Sequence, residues 1–275
     1  MQAAESKIRA FQAIFVLVIC TEYWTKALSR WADLDAADGA ALAVATLLGA
    51  AALSGRRRRT VFAGFAALQA WYVWTNFPLT GNHRYLELFF AALFAFLDVE
   101  KEEERRLLLR SLRWTVIVVL FYSGLQKLAH GYYLEGQFLA YSLWRETFRA
   151  ALAPLLSSEE IGRLTSYSGA VGDGPYLVSS PAFLVVSNAV WLLEMTLAPL
   201  LFFRTTRQVA WIAACAFLVA TQLVAREFLF GIEFGSALLL CARTDIIRRA
   251  IWPVAVFLGL LVLMRLGVLP AVTFH

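Results

Sequence analysis

The sequence lacks the marks of a disulfide-bonded or metal-binding domain. It has only three cysteines among 275 residues. Cys20, Cys215 and Cys241 lie far apart, inside apolar segments, and no CxxC spacing occurs. A disulfide framework or a thiolate metal site needs paired or clustered cysteines. We therefore expect neither, and no metal site.

Other absences exclude several classes of function. The sequence contains no GxxxxGK[ST] loop and no Gly-rich dinucleotide fingerprint, so nothing indicates nucleotide hydrolysis. No internal repeat is obvious, which disfavours a transporter built from duplicated halves. The net charge is +5, but most of the excess lies in short loops, where Lys and Arg set membrane topology. We expect no nucleic-acid partner.

Apolar residues dominate the chain. They make up 60% of the sequence, and the mean hydropathy is +0.64, which is too high for an ordinary soluble domain. A helix needs about 20 mainly apolar residues to span the bilayer core, and irregular backbone is not tolerated against lipid. The composition predicts an all-α, polytopic integral membrane bundle, a single domain over residues 1–275, with the lipid bilayer as its partner.

Nine spans are predicted. The weakest is the eighth, which is short and carries Arg226, Glu227 and Glu233. A re-entrant or broken segment is the alternative there. The predicted spans cover residues 10–29, 39–55, 60–79, 84–99, 108–129, 181–203, 208–225, 226–241 and 250–268.

The basic residues predict the topology. With nine spans, every basic cluster falls on the same side of the membrane, which places the N-terminus inside and the C-terminus outside. Lys7 and Arg9 precede the first apolar stretch, and no small-residue cleavage site follows, so we expect an uncleaved first span. The clusters are Lys7/Arg9, Arg56–Arg59, 101–113, Arg204/Arg207 and Arg243/Arg248/Arg249.

The connection 131–180 then lies outside. Its first part, "FLAYSLWRETFRAALAPLL" at 138–156, alternates aromatic and basic residues and predicts an amphipathic helix at the interface. Its second part, 157–181, is rich in Ser and Gly and is interpreted as a loop.

Ionisable residues inside apolar spans need an explanation, because each costs about 2.5–3.5 kcal/mol at the centre of a span. On the predicted topology most of them fall in the outer half of the membrane. Ser123, Lys127 and His130 share one helical face, and His83 and Glu87 are one turn apart. This spacing predicts a polar pocket that opens outward.

Each of these residues also has a structural interpretation. Lys127 could extend to the headgroups. Glu22 and Lys26 could form an i, i+4 pair, and His83 could be an interfacial residue. The mid-span carboxylate of Glu194 must be neutral, paired or hydrated, and Arg226 is one candidate partner.

Three segments carry a resemblance to a known family. "FYSGLQKLAHGYYLEG", "GNHRYLELFFAALFAFLD" and "WLLEMTLAPLLF" resemble, in the same order, segments of the vitamin K-dependent γ-carboxylases, whose membrane domain is known as the HTTM domain. The resemblance covers roughly residues 8–268. The matched positions are Asn82, His83, Tyr85, Leu86, Gly124, Lys127, Leu128, Tyr133, Glu135, Gly136, Glu194 and Pro199.

The resemblance implies a chemistry. In the carboxylases the lysine that matches Lys127 deprotonates vitamin K hydroquinone, and oxygenation then yields a base that removes a proton from a peptide glutamate before carbon dioxide adds. The resemblance implies Lys127 as the catalytic base and vitamin K hydroquinone or a related quinol as the cofactor. We expect His83, the second catalytic residue, to lie within hydrogen-bonding distance of Lys127. The residues expected to bind the cofactor are Asn82, Tyr85, Tyr122, Ser123, Gly124, His130 and Glu194.

The resemblance has departures. Gln126 stands where animal carboxylases carry a second lysine, and we expect no counterpart of their large lumenal domain. The sequence therefore supports two hypotheses. One is a carboxylase-like lyase or quinol-linked oxygenase that modifies a peptide or small substrate at the outer face of a bacterial cytoplasmic membrane. The alternative is a non-catalytic accessory protein for maturation or export of a secreted partner.

The predicted topology can be tested by labelling. Single cysteines at Thr80 and Ser168 should react with an impermeant thiol reagent from outside, whereas one in the loop 101–106 should not. Labelling in the reverse sense would overturn the predicted orientation.

Overall fold

The computed structural model describes residues 2–55, 58–78, 80–167, 176–242 and 246–266, apart from the side chains of Gln2, Ala3, Arg58 and Asn82. Within these ranges the chain forms helices and no strand. The α-helices are α1 (Gln2–Ser29), α2 (Ala36–Leu53), α3 (Arg58–Asn76), α4 (Asn82–Phe96), α5 (Glu102–His130), α6 (Gln137–Tyr141), α7 (Glu146–Leu152), α8 (Ser158–Thr165), α9 (Pro181–Phe202), α10 (Arg207–Ala225), α11 (Phe228–Leu239) and α12 (Ile246–Arg265).

The all-α prediction is confirmed for these residues, and each predicted span falls on one helix. Five of the helices, α2, α5, α9, α10 and α12, are long and apolar enough to cross a membrane. They indicate an integral membrane protein. Helices α4 and α11 have 15 and 12 residues. At 1.5 Å per residue they measure about 22 and 18 Å, less than the bilayer core of about 30 Å.

Two expectations for the connection after α5 are wrong. The single amphipathic helix at 138–156 is instead two short helices, α6 and α7, with 3₁₀ turns after each. The segment interpreted as a loop contains α8. A capping box starts this helix, because the Ser157 hydroxyl accepts from the Glu160 N–H and the Glu160 carboxylate accepts from the Ser157 N–H. Backbone donation from Ser179, with that from Ser157, lowers the pKa of Glu160 to about 2.

Several predicted positions lie outside the described residues. They are Arg56, Arg57, Ser168 and Arg243.

The described chain divides into two compact units. Unit 1 comprises Met1–Trp114 and Phe228–His275, and unit 2 comprises Thr115–Glu227. Helix α5 begins in unit 1 and ends in unit 2. In unit 1, α1 packs against α2, α11 and α12, and α3 packs against α2 and α4.

A cluster of phenylalanines fills the centre of unit 1. Its rings come from α1, α3 and α4, and they meet edge to face or tilted. The Phe11 and Phe90 ring centroids are 5.2 Å apart, and those of Phe62 and Phe94 are 4.9 Å apart. Helix α1 is buried around much of its circumference, which is the pattern of a central helix. The cluster fixes α1, α3 and α4 against one another.

Three basic side chains of unit 1 bind backbone carbonyls. Lys7 donates to the Ala242 carbonyl at 2.7 Å, and Arg113 donates to the Leu240 carbonyl at 2.9 Å, both in the segment after α11. Arg59 donates to two carbonyls at the end of α4. The last carbonyls of a helix have no intrahelical donor, so Arg59 completes those of α4.

Unit 2 has its own core. Helix α9 packs against α10, and α10 packs against α7. The short helices after α5 supply most of the buried residues, which explains why 138–156 does not form one surface helix. These residues are Tyr133, Leu139, Ala140, Leu143, Phe148, Leu152, Leu164 and Phe183.

The phenylalanine cluster allows a direct stability test. Phe90 is fully buried, whereas its neighbour Phe89 is 47% exposed. Phe90→Ala should lower the free energy of unfolding by about 3–5 kcal/mol through lost burial and a cavity. Thermal unfolding in detergent measures this, with Phe89→Ala as the matched control. Equal stability of the two variants would contradict the assigned packing.

Candidate functional site

Lys127 lies inside α5, one turn before the helix ends at His130. Its ammonium donates to both oxygens of the Glu194 carboxylate, at 2.7 and 2.9 Å, and to the Ser123 hydroxyl at 2.6 Å. The Lys127 side chain is 20% exposed and that of Glu194 is 11% exposed. Lys127 is therefore held by an ion pair within unit 2, and of the states expected for Glu194 (neutral, paired or hydrated) the structure shows the paired one.

Gly124 permits this ion pair. A Cβ at this position would lie 2.7 Å from Met195 Cγ and 2.8 Å from the backbone oxygen of Trp191. Only a glycine lets α5 approach the backbone of α9 so closely. Glu194 is the neighbour of Met195 on α9, so the close approach brings its carboxylate to Lys127.

A tight turn after α5 forms another side of the site. Gly131 and Gly136 adopt φ values of 75° and 72°, a conformation that other residues rarely adopt. Ser187 of α9 donates to the Tyr133 carbonyl at 2.7 Å and so fixes the turn. The Lys127 ammonium consequently lies 5.6 Å from the centre of the Tyr133 ring.

The other predicted residues of unit 2 lie at the surface. Tyr122 is 57% exposed. His130 is exposed and stacks on Tyr132, with ring centroids 6.3 Å apart. Of the predicted face Ser123, Lys127 and His130, the structure joins the first two by a hydrogen bond.

The remaining predicted residues belong to α4, in unit 1. Asn82 is the first residue of α4, and its side chain lies outside the described part of the chain. Tyr85 is exposed. His83 Nε2 lies 3.2 Å from Glu22 Oε1. The predicted contact between Lys127 and His83 would join the two units and stays a prediction.

A buried polar cluster surrounds Glu22. The Arg84 guanidinium forms ion pairs with Glu22 and with Glu87, the latter at 3.0 Å. Arg84 also faces the Gln69 amide oxygen at 3.4 Å. Its cationic carbon lies 4.2 Å from the centre of the Tyr72 ring. The arginine thus links α1, α3 and α4.

The sequence analysis missed the roles of Arg84 and Asp38. The interpretation of Glu22 and Lys26 as a pair is wrong, because Lys26 donates to Asp38 at 2.7 Å. Arg84 and Glu87 lie one turn apart within an apolar run, and this spacing could have predicted the ion pair between them. Asp38 follows the helix cap Asp35 and gives no comparable signal.

No protein-family model, no curated protein and no solved structure matches this chain.

Gly124 provides a test of the Lys127 site. In Gly124→Ala the new methyl group would meet backbone, so α5 and α9 must separate. Overpacking of this kind costs about 1–3 kcal/mol. Thermal unfolding should report this loss. Gly162→Ala in α8 is the matched control, since a Cβ there meets nothing within 4 Å. The proposed close approach is wrong if the two variants are equally stable.

Proposed function

We propose that this integral membrane protein is of the HTTM type and performs a quinol-linked, carboxylation-like modification of a peptide or small substrate. In this proposal Lys127 is the base and His83 is the second catalytic residue. The observation that carries the proposal is the position of the Lys127 amine. It lies within a helix, partly buried, and bonds to a carboxylate that can take its proton.

We further propose nine spans with the N-terminus inside a bacterial cytoplasmic membrane and the active face outward. Two features support this topology. Lys7, Arg59 and Arg113, which belong to three of the predicted basic clusters, bind carbonyls at the end of α4 and in the segment after α11. Each predicted span also coincides with a helix. Helix α11 needs its flanking residues, or a locally thinner bilayer, to complete a crossing.

Glu194 lets Lys127 act as a base without releasing a proton into lipid. The Lys127 ammonium passes one proton to a Glu194 oxygen at 2.7 Å, which leaves a neutral amine beside a neutral acid. A neutral pair costs less desolvation than an ion pair in a low-dielectric site. The amine then accepts a proton from a substrate hydroxyl, while Ser123 keeps it in position.

The residues at this site suit a hydroquinone. An aromatic diol needs a base at one hydroxyl and flat apolar surfaces for its ring. Lys127 supplies the base. Aromatic surface is supplied by Tyr133, whose ring lies 5.6 Å from the Lys127 ammonium, by Tyr132 in the same turn and by Tyr122 on α5. When bound, a quinol supplies the reducing equivalents for reaction with oxygen.

One observation favours the alternative of a non-catalytic accessory protein. All three donors of the Lys127 ammonium have an acceptor, one in Ser123 and two in Glu194. Such an ion pair is sufficient to hold α5 against α9 without any chemistry at the lysine. The two functions differ in whether the lysine must lose its proton.

Lys127→Arg separates them, because arginine keeps the positive charge and cannot be deprotonated at usable pH. The purified protein in nanodiscs should oxidise added vitamin K hydroquinone with uptake of oxygen. Loss of the base should reduce that rate by about 10²–10⁴-fold in Lys127→Arg. Lys26→Arg is the matched control, since Lys26 also pairs with a carboxylate at 2.7 Å. It should keep the wild-type rate.

Unchanged oxidation in Lys127→Arg would reject the base. Absence of oxidation in the wild type, together with absence of quinone in its solvent extract by mass spectrometry, would favour the accessory function.

A further inference from the structure

Three buried carboxyl groups of unit 1 share one guanidinium. Glu22 and Glu87 bind Arg84 directly. Glu233, on α11, interacts electrostatically with Glu22, Glu87 and Arg84. Glu87 and Glu233 are each 1% exposed.

The charges do not balance. Arg84 compensates one carboxylate, which leaves two buried carboxyl groups without a fixed cation. An isolated ionised carboxylate is too costly in an apolar interior, so such groups take a proton or a cation. No group of three or more His, Cys, Asp or Glu among the described residues could hold a metal ion. A proton neutralises a carboxyl group without needing further ligands.

We propose that this cluster is a proton-binding site that holds two protons at neutral pH, on Glu87 and Glu233, and exchanges them with solvent through His83. The site shares His83 with the chemistry proposed at Lys127, but Glu87 and Glu233 take no part in that chemistry, and the protons on them can be measured without any catalytic activity. Its ligand is the proton, and it would couple proton uptake to the packing of α1, α4 and α11.

The hydrogen bonds indicate which groups hold the protons. Glu22 forms an ion pair with Arg84 and lies beside His83, so it is the carboxyl group best suited to stay ionised. Glu87 binds the same guanidinium as Glu22 and is the more buried of the two. Two carboxylates on one cation repel each other, which favours a proton on the more buried group. Glu233 has no donor at either oxygen, and a charge there would be unsupported.

Two other buried side chains point to exchangeable protons or water in the cluster. Gln69 is fully buried, and its amide nitrogen has no acceptor although its oxygen faces Arg84. The Tyr23 hydroxyl is also buried without a partner, and its ring lies 5.4 Å from the Arg84 cationic carbon. Buried polar atoms of this kind are normally completed by ordered water, which also conducts protons.

His83 connects the cluster to solvent. Its side chain is 34% exposed, whereas that of Glu22 is 14% exposed. A proton that Glu87 gives to Glu22 can leave from Glu22 Oε1 to His83 Nε2 across 3.2 Å, and a proton from solvent returns to Glu87 by the same route. The transfer moves protons alone and needs no oxidant or reductant.

The other ionisable groups near the cluster are accounted for. On α1 and α2, Lys26 pairs with Asp38. On α3, the Tyr72 ring covers Arg84. On α12, the ionisable side chains lie only in the first turn and at the last residue.

Infrared spectroscopy of the purified full chain tests the proposal. At pH 7 the wild type should show the C=O band of protonated carboxylic acids, and this band should shift in D2O. Glu233→Gln and Glu87→Gln should each remove the area of one carboxylic acid. Glu159→Gln, at an exposed position of α8, is the matched control and should remove none.

The exchange route has its own test. His83→Phe should slow the D2O shift severalfold, whereas His130→Phe should not, since His130 is the exposed histidine of unit 2. Equal exchange in both variants would reject His83 as the route.

Three results would overturn the site itself. They are the absence of the acid band in the wild type at pH 7, an unchanged band in both Gln variants, and loss of the wild-type band on addition of Na⁺ or K⁺ at constant ionic strength. The last would identify a metal cation as the occupant. Absence of the band in the wild type decides against the site even if a variant fails to fold.

Discussion

The cost of an unpaired charge in an apolar interior determines how the Arg84 cluster of unit 1 and the Lys127–Glu194 pair of unit 2 are built. In unit 1 Arg84 bridges carboxyl groups on α1 and α4 and faces an amide on α3. In unit 2 Lys127 bridges α5 and α9. Removing one partner of such a pair leaves a buried charge that costs about 3–5 kcal/mol, a large fraction of the about 5–15 kcal/mol by which proteins are stable. These pairs therefore restrict how the helices can pack.

The same interactions make chemistry available. An ion pair in a low-dielectric site has a neutral form of similar energy, because proton transfer removes two charges from that environment. For Lys127 and Glu194 this equilibrium supports a base that does not exchange its proton with lipid. In the Arg84 cluster, carboxyl groups outnumber the fixed cation, and the excess supports stored protons. The number of carboxyl groups for each fixed cation distinguishes the proposed catalytic pair from the proposed proton-binding site.

Much of the fold followed from periodicity and composition. The predicted spans coincide with helices because a long apolar run in lipid has few other ways to satisfy its backbone. The connection after α5 was predicted less well. The alternating aromatic and basic residues of 138–156 indicated a surface helix, yet Leu143, Phe148 and Leu152 are buried in the core of unit 2. The Ser157 to Glu160 capping box was present in the sequence and was outweighed by the surrounding Ser and Gly residues.

The sequence by itself determined that the chain is helical, that its apolar segments suit a membrane and that Lys127 lies within a helix. Those properties depend on local composition and on backbone hydrogen bonding. The tertiary structure decided the partners. From the sequence, Glu194 could pair with Lys127 or with Arg226. The close approach of α5 and α9 at Gly124 places the Lys127 ammonium against Glu194. Lys26 likewise pairs with Asp38 and not with Glu22 one turn away. Partner choice depends on which helices approach closely, and that is set by side-chain volume and burial across the whole unit.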